Sequence, residues 1–325
     1  MSEPGSAIGV PHRRRPRDVD GIVLLDKPPG MSSNHALQRV RRLLAAAKGG
    51  HAGTLDPMAT GMLPLCFGQA TKACGQLLGS RKAYRATIAL GAATDTGDAD
   101  GAITLEADVP AIDRSRVETV LAALTGAIEQ LPPMYSALKR EGRPLYERAR
   151  RGEDVPRETR QVVIHRLSLA ALGARELSIE VVCAKGTYVR VLGEDIARAL
   201  GTCGHLSALR RLWVEPFEDE PMVALEVVER WAAEDGPEPG QAPWLLPVDR
   251  AFPGLPRVDL DPSRARHLCQ GRVLQGAAGP LSVGTARAYG ADGRFLGLVS
   301  IDGSGAVRVA RLFVADDGSG GSPHA

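Results

Sequence analysis

Apolar positions along this chain follow two rhythms. From Arg81 to Leu90 they alternate, with Tyr84, Ala86, Ile88 and Leu90 on one side, as a half-buried strand requires. Gly21 to Leu25 is a short apolar run that ends in Asp26-Lys27-Pro28-Pro29-Gly30, which predicts a strand and then a tight turn. The helical rhythm comes next. Ala36, Leu37, Val40, Leu43 and Leu44 form one stripe, Ser33 is the predicted N-cap, and Arg39, Arg41 and Arg42 lie opposite. A second helix is predicted over Ser115 to Leu124, where Val117, Val120, Leu121 and Leu124 recur and Gly126 marks the stop. Further strands are predicted at Gln161 to Ala170, Glu176 to Cys183 and Leu209 to Val214, with a helix from about Gly193 to Leu200. Strands interspersed with helices predict an α+β fold class.

Four stretches break these rhythms. Gly49 to Pro64 holds glycines at 49, 50, 53 and 61 and prolines at 57 and 64, and is read as a structured loop. Between Gln130 and Arg160 prolines and glycines interrupt the pattern while eight Lys or Arg stand against five Asp or Glu. An irregular basic segment of that length inside a domain is usually functional or disordered. Pro237 to Gln241 reads as a linker. Beyond it the short runs Leu281–Ala288, Phe295–Ile301 and Val307–Val314, split by Asp292-Gly293 and Asp302-Gly303, predict a small all-β barrel. The two ends, residues 1–18 and 315–325, are read as flexible tails, the first of them basic.

Length and composition alter this picture little. The 325 residues suit one large domain and a small one, and 44% hydrophobic with 24% charged residues is ordinary for a globular protein. No apolar stretch reaches the roughly 18 residues of a membrane span, and the start lacks the apolar core of a secretory signal. Five widely spaced cysteines with no C-x-x-C pair fit a reducing, cytoplasmic setting. The net charge of +2 announces no nucleic-acid partner, but the basic residues collect locally, at Arg13–Arg17, Arg39–Lys48, Arg81–Arg85 and Lys139–Arg160. Several such clusters keep RNA binding open, since neutralising phosphates takes multiple Lys and Arg contacts.

The densest chemistry lies in His51-Ala-Gly-Thr-Leu-Asp56-Pro57-Met-Ala-Thr-Gly61-Met-Leu-Pro64. Pro57 biases Asp56 toward an extended backbone, and Gly53 and Gly61 permit close approach of another chain. An Asp-Pro pair alone marks only a turn, yet a carboxylate held on such a loop is geometrically able to act as a nucleophile. Two other clusters resemble metal sites and fail the test. Thr96 to Gly101 imitates the centre of a calcium loop but puts Ala107 where a carboxylate is needed, and Cys203-Gly204-His205 lacks a second ligand pair for zinc.

The Asp56 stretch resembles the G-x-L-D-P-x-A-x-G-x-L signature of TruB-type pseudouridine synthases. Gly21 to Ser33 resembles that family's opening motif, Lys82-Ala83-Tyr84 its tyrosine motif, and Lys185-Gly186-Thr187-Tyr188-Val189-Arg190 its arginine motif. Residues 130–160 resemble its RNA-binding insertion, and residues 255–314 are similar to a C-terminal PUA domain. The resemblance covers residues 19–314 in order. It implies a catalytic domain over 19–250 with a mixed, mainly antiparallel sheet flanked by helices and loops, followed by the PUA-like domain over 255–314.

The implied activity is isomerisation of uridine to pseudouridine at position 55 in the TΨC loop of tRNA. Asp56 would attack the flipped nucleotide, Tyr84 would stack on the base and help remove the C5 proton, and Arg190 would pair with Asp56. That pairing is expected to lower the Asp56 pKa and keep the carboxylate ionised. The resemblance further implies that His51 displaces or holds the base and that Tyr188 and Leu209 line the uracil pocket; Lys27 is read as a phosphate contact or as the end of a strand. Arg148, Arg150 and Arg151 would grip the T-arm. The chemistry involves no redox change, so no cofactor or metal is expected, and the enzyme is expected to act as a monomer without guide RNA. Two other readings share the RNA-binding surfaces: a noncatalytic tRNA-binding or folding factor, and a guide-RNA-dependent synthase. Intact Asp56, Tyr84 and Arg190 stand against the first, and the well-matched insertion against the second.

Overall fold

A computed structural model describes residues 17–136, 138–140, 142–149, 151–153, 155–234, 242–279 and 281–314. Strand β1 (Gly21–Lys27) is followed by helix α1 (Ser33–Leu43). The N-cap of α1 is Ser32, not Ser33, and its hydroxyl accepts the backbone N–H of His35 at 3.2 Å. Ser33 instead turns inward, where it is buried. The stretch read as one loop from Gly49 contains two strands, β2 (Gly49–His51) and β3 (Thr60–Phe67), so that only residues 52–59 lie outside regular structure. Next come helix α2 (Cys74–Gly79), strand β4 (Lys82–Leu90), the short pair β5 (Ala92–Thr94) and β6 (Ile103–Glu106), helix α3 (Arg114–Ala123) and strand β7 (Gly126–Gln130).

The basic segment carries a small hairpin, β8 (Lys139–Arg140) with β9 (Arg143–Pro144), and a single turn of helix, α4 (Leu145–Ala149). Strands β10 (Arg160–Leu172) and β11 (Glu176–Cys183) then pair antiparallel. Helix α5 (Val189–Ala199) begins a turn earlier than its apolar pattern predicts, which places Arg190 on the helix. Strand β12 (Gly204–Val214) likewise starts before Leu209. The N-terminal region closes with β13 (Val223–Ala224), α6 (Leu225–Ala233) and β14 (Leu245–Leu246). The linker predicted at 237–241 lies outside the described residues, as do the tails apart from Arg17 and Asp18. The backbone N–H of Arg17 donates to Ala45 at 2.7 Å, so the chain is tied down by that point.

One ten-stranded sheet organises these elements in the order β13-β1-β3-β12-β4-β11-β10-β7, with β14 added to β1 and β2 to β3. Two pairings are parallel, β1 with β13 and β3 with β12, and the rest are antiparallel. The patterns follow from what covers each face. Strand β1 reads as a continuous apolar run because Val23 and Leu25 belong to the core that residues of α1, α5 and α6 also fill, while Ile22 and Leu24 enter a second core on the other face. Strand β4 alternates because Tyr84, Ala86, Ile88 and Leu90 face the helices while Arg85 points to water.

The C-terminal unit comprises β15 (Arg257–Asp259), α7 (Pro262–Cys269), β16 (Gly284–Tyr289), β17 (Phe295–Ile301) and β18 (Val307–Leu312). Its strands form an open four-stranded sheet, β15-β16-β17-β18, and among the described residues it does not close into the expected barrel. The turn signals fixed where the strands break, but closure depends on pairing between β15 and β18, which nothing local specifies. The unit docks on the second core through Phe252, Phe295 and Phe313, whose ring centroids lie 5.4–6.2 Å apart. Lys72 donates to the Leu312 carbonyl at 2.7 Å and Arg311 to the Lys72 carbonyl at 2.8 Å across the same seam. No helix among the described residues is long and apolar enough to cross a membrane.

Candidate active site

Strands β3 and β12 run parallel side by side at the middle of the sheet, and the 52–59 loop leads into β3 there. A cleft of about 1130 Å³ opens at this point. The loop, the start of β4, the middle of β12, the first turn of α5, the turn around Thr96 and Asp98, and Tyr135, Ser136 and Leu138 line it. Six residues singled out from sequence meet in this one cleft: His51, Asp56, Tyr84, Tyr188, Arg190 and Leu209.

Asp56 is held in place by its neighbours in the loop. The Ser33 hydroxyl accepts the Leu55 N–H at 2.8 Å and donates to the Leu55 carbonyl at 3.1 Å. Gly30 N–H donates to the Pro57 carbonyl at 2.9 Å, and Lys27 adds a longer bond to it at 3.2 Å. Each side of Asp56 is therefore pinned by a group more than twenty residues away in sequence. Lys27 gives its other bonds to the carbonyls of Pro28 at 2.8 Å and Met31 at 2.9 Å. It is fully buried, and burial pulls its pKa down to about 8. The structure thus uses the Lys27 ammonium on loop carbonyls and does not bring it to the cleft wall, where a phosphate contact was expected.

Arg190 approaches Asp56 from α5. Its Nε lies 3.0 Å from Asp56 Oδ2 and its Nη2 donates to Oδ1 at 3.2 Å, a two-point contact. The remaining N–H groups donate to the Thr96 carbonyl at 2.6 Å and the Tyr135 carbonyl at 2.8 Å, and Asp98 Oδ2 stands 3.7 Å away. The Arg190 side chain is only 5% exposed, whereas 32% of the Asp56 side chain remains open to the cleft. The expected downward shift of Asp56 is overturned. Burial raises its pKa above the ordinary carboxylate value and Asp98 adds to the rise, while Arg190 and Lys27 offset only part of it. The calcium look-alike is the turn that supplies Asp98, whose Oδ1 accepts the Thr96 hydroxyl at 2.6 Å. Around Cys203, His205 bonds the Ala92 carbonyl through Nδ1 at 2.7 Å, and no metal-type cluster forms among the described residues.

Tyr84 is 8% exposed, and burial raises its pKa, which keeps the phenol neutral. His51 is neutral as well, since burial and then the Arg211 charge lower its pKa, and its buried Nδ1 has no hydrogen-bond partner among the described residues. Tyr188 caps the start of α5. Its backbone is fixed from both sides by Gln130, at 2.9 Å and 3.2 Å, and Arg160 lies over its ring at 5.0 Å. Leu209, 7% exposed, completes the apolar wall. In the basic segment Arg148 is paired with Glu153 at 2.8 Å, Arg151 is exposed, and Arg150 lies outside the described residues.

Sequence reasoning missed two charged groups here. Lys82 is 7% exposed, donates to the Leu78 and Ser80 carbonyls, and is pulled down to about 8 by burial. Arg211 is fully buried beneath the loop. A signal existed for Arg211, because period-two alternation puts it on the inward face with Leu209, where a charge is anomalous.

Comparison with known proteins gives a consistent picture. Residues 41–189 match the model of the TruB family pseudouridylate synthase N-terminal domain. Residues 190–253 match the tRNA pseudouridylate synthase B C-terminal domain, and residues 256–313 the C-terminal domain of pseudouridine synthase II TruB. The tRNA pseudouridine synthase B of Aromatoleum aromaticum is 52% identical over 92% of this chain and 94% of its own length. That of Chromohalobacter salexigens is 48% identical over 92% and 96%. Among solved structures, a Cbf5-Nop10-Gar1 complex contains a chain similar at TM-score 0.67 and 26% identity, covering 90% of this chain and 85% of that one.

Proposed function

The chain belongs to the TruB family of pseudouridylate synthases, and from that premise we propose that it isomerises uridine 55 in the TΨC loop of tRNA with Asp56 as nucleophile. It is a pseudouridine synthase, an isomerase. The observation that carries the proposal is the two-point contact of buried Arg190 on Asp56, at 3.0 and 3.2 Å, inside a cleft walled by Tyr84, Tyr188 and Leu209. A carboxylate in that setting is oriented and reachable by substrate, and its open third faces the space a base would fill.

The reaction exchanges one bond to the ribose for another. Asp56 adds to the flipped nucleotide, the N1–C1′ bond breaks, the base turns within the cleft, and C5 bonds to C1′ as Asp56 leaves. The net change is loss of a proton from C5 and gain of one at N1. Tyr84 holds the base by stacking. A phenol with a raised pKa is a poor source of phenolate, so Tyr84 is not a preformed base; its hydroxyl relays the C5 proton, giving its own proton to water in the cleft as it takes up the one from C5. Extruding a nucleotide costs a few kcal/mol in a duplex and less in an irregular loop, which favours a T-loop substrate.

The enzyme works on the T-arm as a monomer in the cytoplasm, without a guide RNA. The relatives at 52% and 48% identity bear the name tRNA pseudouridine synthase B, whereas the resemblance to a chain of the Cbf5-Nop10-Gar1 complex is at 26%. His51 is the group beside Asp56 that displaces the base, and the exposed Arg151 contacts backbone phosphate. The test is tritium release from C5-labelled uridine in an unmodified tRNA transcript. Asp56→Asn should abolish release while tRNA affinity stays within a few-fold. Isomerisation persisting in Asp56→Asn, with deamidation excluded by mass spectrometry, refutes the nucleophile assignment.

A further inference from the structure

We propose that Arg211 is a positioning residue for this reaction: one buried guanidinium joins the two ends of the loop that carries Asp56. The proposal rests on the assignment of Asp56 as nucleophile. Arg211 Nε donates to the Met62 carbonyl at 2.6 Å and Nη2 donates to the Gly53 carbonyl at 3.0 Å. Gly53 is where the chain enters the loop, and Met62 is in β3 just after it leaves. A single side chain from β12 therefore closes the loop at its base.

The two glycines that bracket Asp56 both lie against β12 at position 211, Gly61 against its backbone and Gly53 against its side chain. A Cβ on Gly61 would lie 2.1 Å from the Arg211 carbonyl oxygen, inside the backbone of β12. A Cβ on Gly53 would meet Arg211 Nη1 at 3.3 Å and Lys82 Cε at 3.4 Å. Both glycines also have φ near +100°, at +99° and +98°, which L side chains rarely adopt. Gly61 is thus required by the close approach of the β12 backbone and by its φ, and Gly53 by its φ together with the Arg211 and Lys82 side chains beside it.

Packing alone does not account for an arginine here. Position 211 is fully buried at the wall of the cleft, beside Lys82 and Tyr84, and no carboxylate lies within ion-pair reach of its guanidinium among the described residues. Its buried Nη1 has no hydrogen-bond partner among them either. A buried cation without a counter-ion is costly, and an apolar side chain of similar volume would avoid that cost. What an apolar side chain could not do is bond two carbonyls nine positions apart in sequence. Arg190 fixes the Asp56 carboxylate from above and Arg211 fixes the loop from beneath, so the reach of the carboxylate into the cleft is set between them. Misplacement of a reacting group by about 1 Å can cost about 10²-fold in rate.

The test uses full-length Arg211→Lys and Arg211→Met with unmodified tRNA. Lysine keeps the charge but replaces the rigid fork of Nε and Nη2 with one compact ammonium on a flexible stem; methionine removes charge and bonds together. Expected are a kcat lowered about 10²-fold in both, tRNA affinity and KM within about threefold of wild type, and faster amide exchange at Leu55 and Ala59. The acid limb of the Arg211→Lys pH profile should stay in place, since the charge is retained. If Arg211→Met does not fold, Arg211→Lys decides the matter. Turnover within about threefold of wild type in folded Arg211→Lys, or a loss of stability without a loss of kcat, overturns the proposal. Asp56→Asn is assayed in parallel. An active Asp56→Asn removes the nucleophile assignment itself, whereas an inactive one beside fully active Arg211→Lys removes only the positioning role of Arg211.

Discussion

Replacing Arg190 with Gln separates the charge of this residue from its bulk. In the native protein Arg190 makes two contacts to Asp56, at 3.0 and 3.2 Å, and two to the carbonyls of Thr96 and Tyr135, with Asp98 at 3.7 Å. Removing the cation leaves two carboxylates facing each other across its place. Breaking a buried pair from one side costs about 3–5 kcal/mol. Because 32% of the Asp56 side chain is open to water, the lower end of that range applies. About 3 kcal/mol is therefore the expected loss of folding stability, and misplacement of the freed carboxylate should separately cost roughly 10²-fold in kcat/KM at neutral pH.

The pH dependence has a defined sign. Burial already holds the Asp56 pKa above the usual value and Arg190 pulls it down, so losing Arg190 raises it further. The nucleophile must be ionised, hence activity falls as pH drops through that pKa. The acid limb of kcat/KM in Arg190→Gln should therefore move to higher pH, and part of the lost activity should return as the medium is made alkaline. Tritium release from pH 5.5 to 9, with tRNA affinity measured on the same preparations, reads both effects. A folded Arg190→Gln with turnover within threefold of wild type would refute the reasoning, and so would an equal loss at every pH.

Two further predictions address the RNA and the architecture. Changing Arg148, Arg150 and Arg151 to Ala should weaken tRNA binding and flatten its dependence on salt by roughly 0.7–0.9 in log–log slope for each phosphate no longer neutralised. Arg148 is already engaged by Glu153 at 2.8 Å, so Arg151 should account for more of the effect, and an unchanged slope counts against a T-arm grip by this segment. Phe313 is 4% exposed and belongs to the same core as Ile22, Leu24 and Met62 of the catalytic sheet. Phe313→Ala should therefore lower the stability of the whole protein by about 3–5 kcal/mol in urea unfolding. A change below about 1 kcal/mol would show that the C-terminal unit is merely appended.

Strands that alternate cleanly were legible in the sequence: β4 and β11 begin and end within a residue of where their patterns put them. Elements without a pattern were not. The three residues of β2 include two glycines, and pairing with β3 alone makes them a strand. The first turn of α5 was missed because Tyr188 gives no side-chain cap, so no start signal precedes Val189. That missed turn carries Arg190. The sign of the Asp56 shift was illegible for a different reason. An arginine in a matching motif can be read from the sequence, but the burial that outweighs it is produced by residues 95–98, 135 and 190 meeting in three dimensions.

The short motif around Asp56 therefore records only part of what makes the carboxylate usable. Ser33 and Gly30 hold the backbone on either side of Asp56 from the β1–α1 connection, Arg190 holds its side chain from α5, and Arg211 holds the base of its loop from β12. These groups are far apart in sequence, and they converge because β12 is inserted between β3 and β4 and runs parallel to β3. An antiparallel neighbour could pair with β3 equally well. The parallel one also aligns Arg210 with Thr60 and Arg211 with Gly61, which sets Arg211 where the loop enters the sheet. On this geometry the crossover from α5 into β12 is the feature of the fold most directly tied to catalysis. A shift of β12 by one residue would turn Leu209 and Arg211 to the opposite face and remove both the apolar wall and the brace at once.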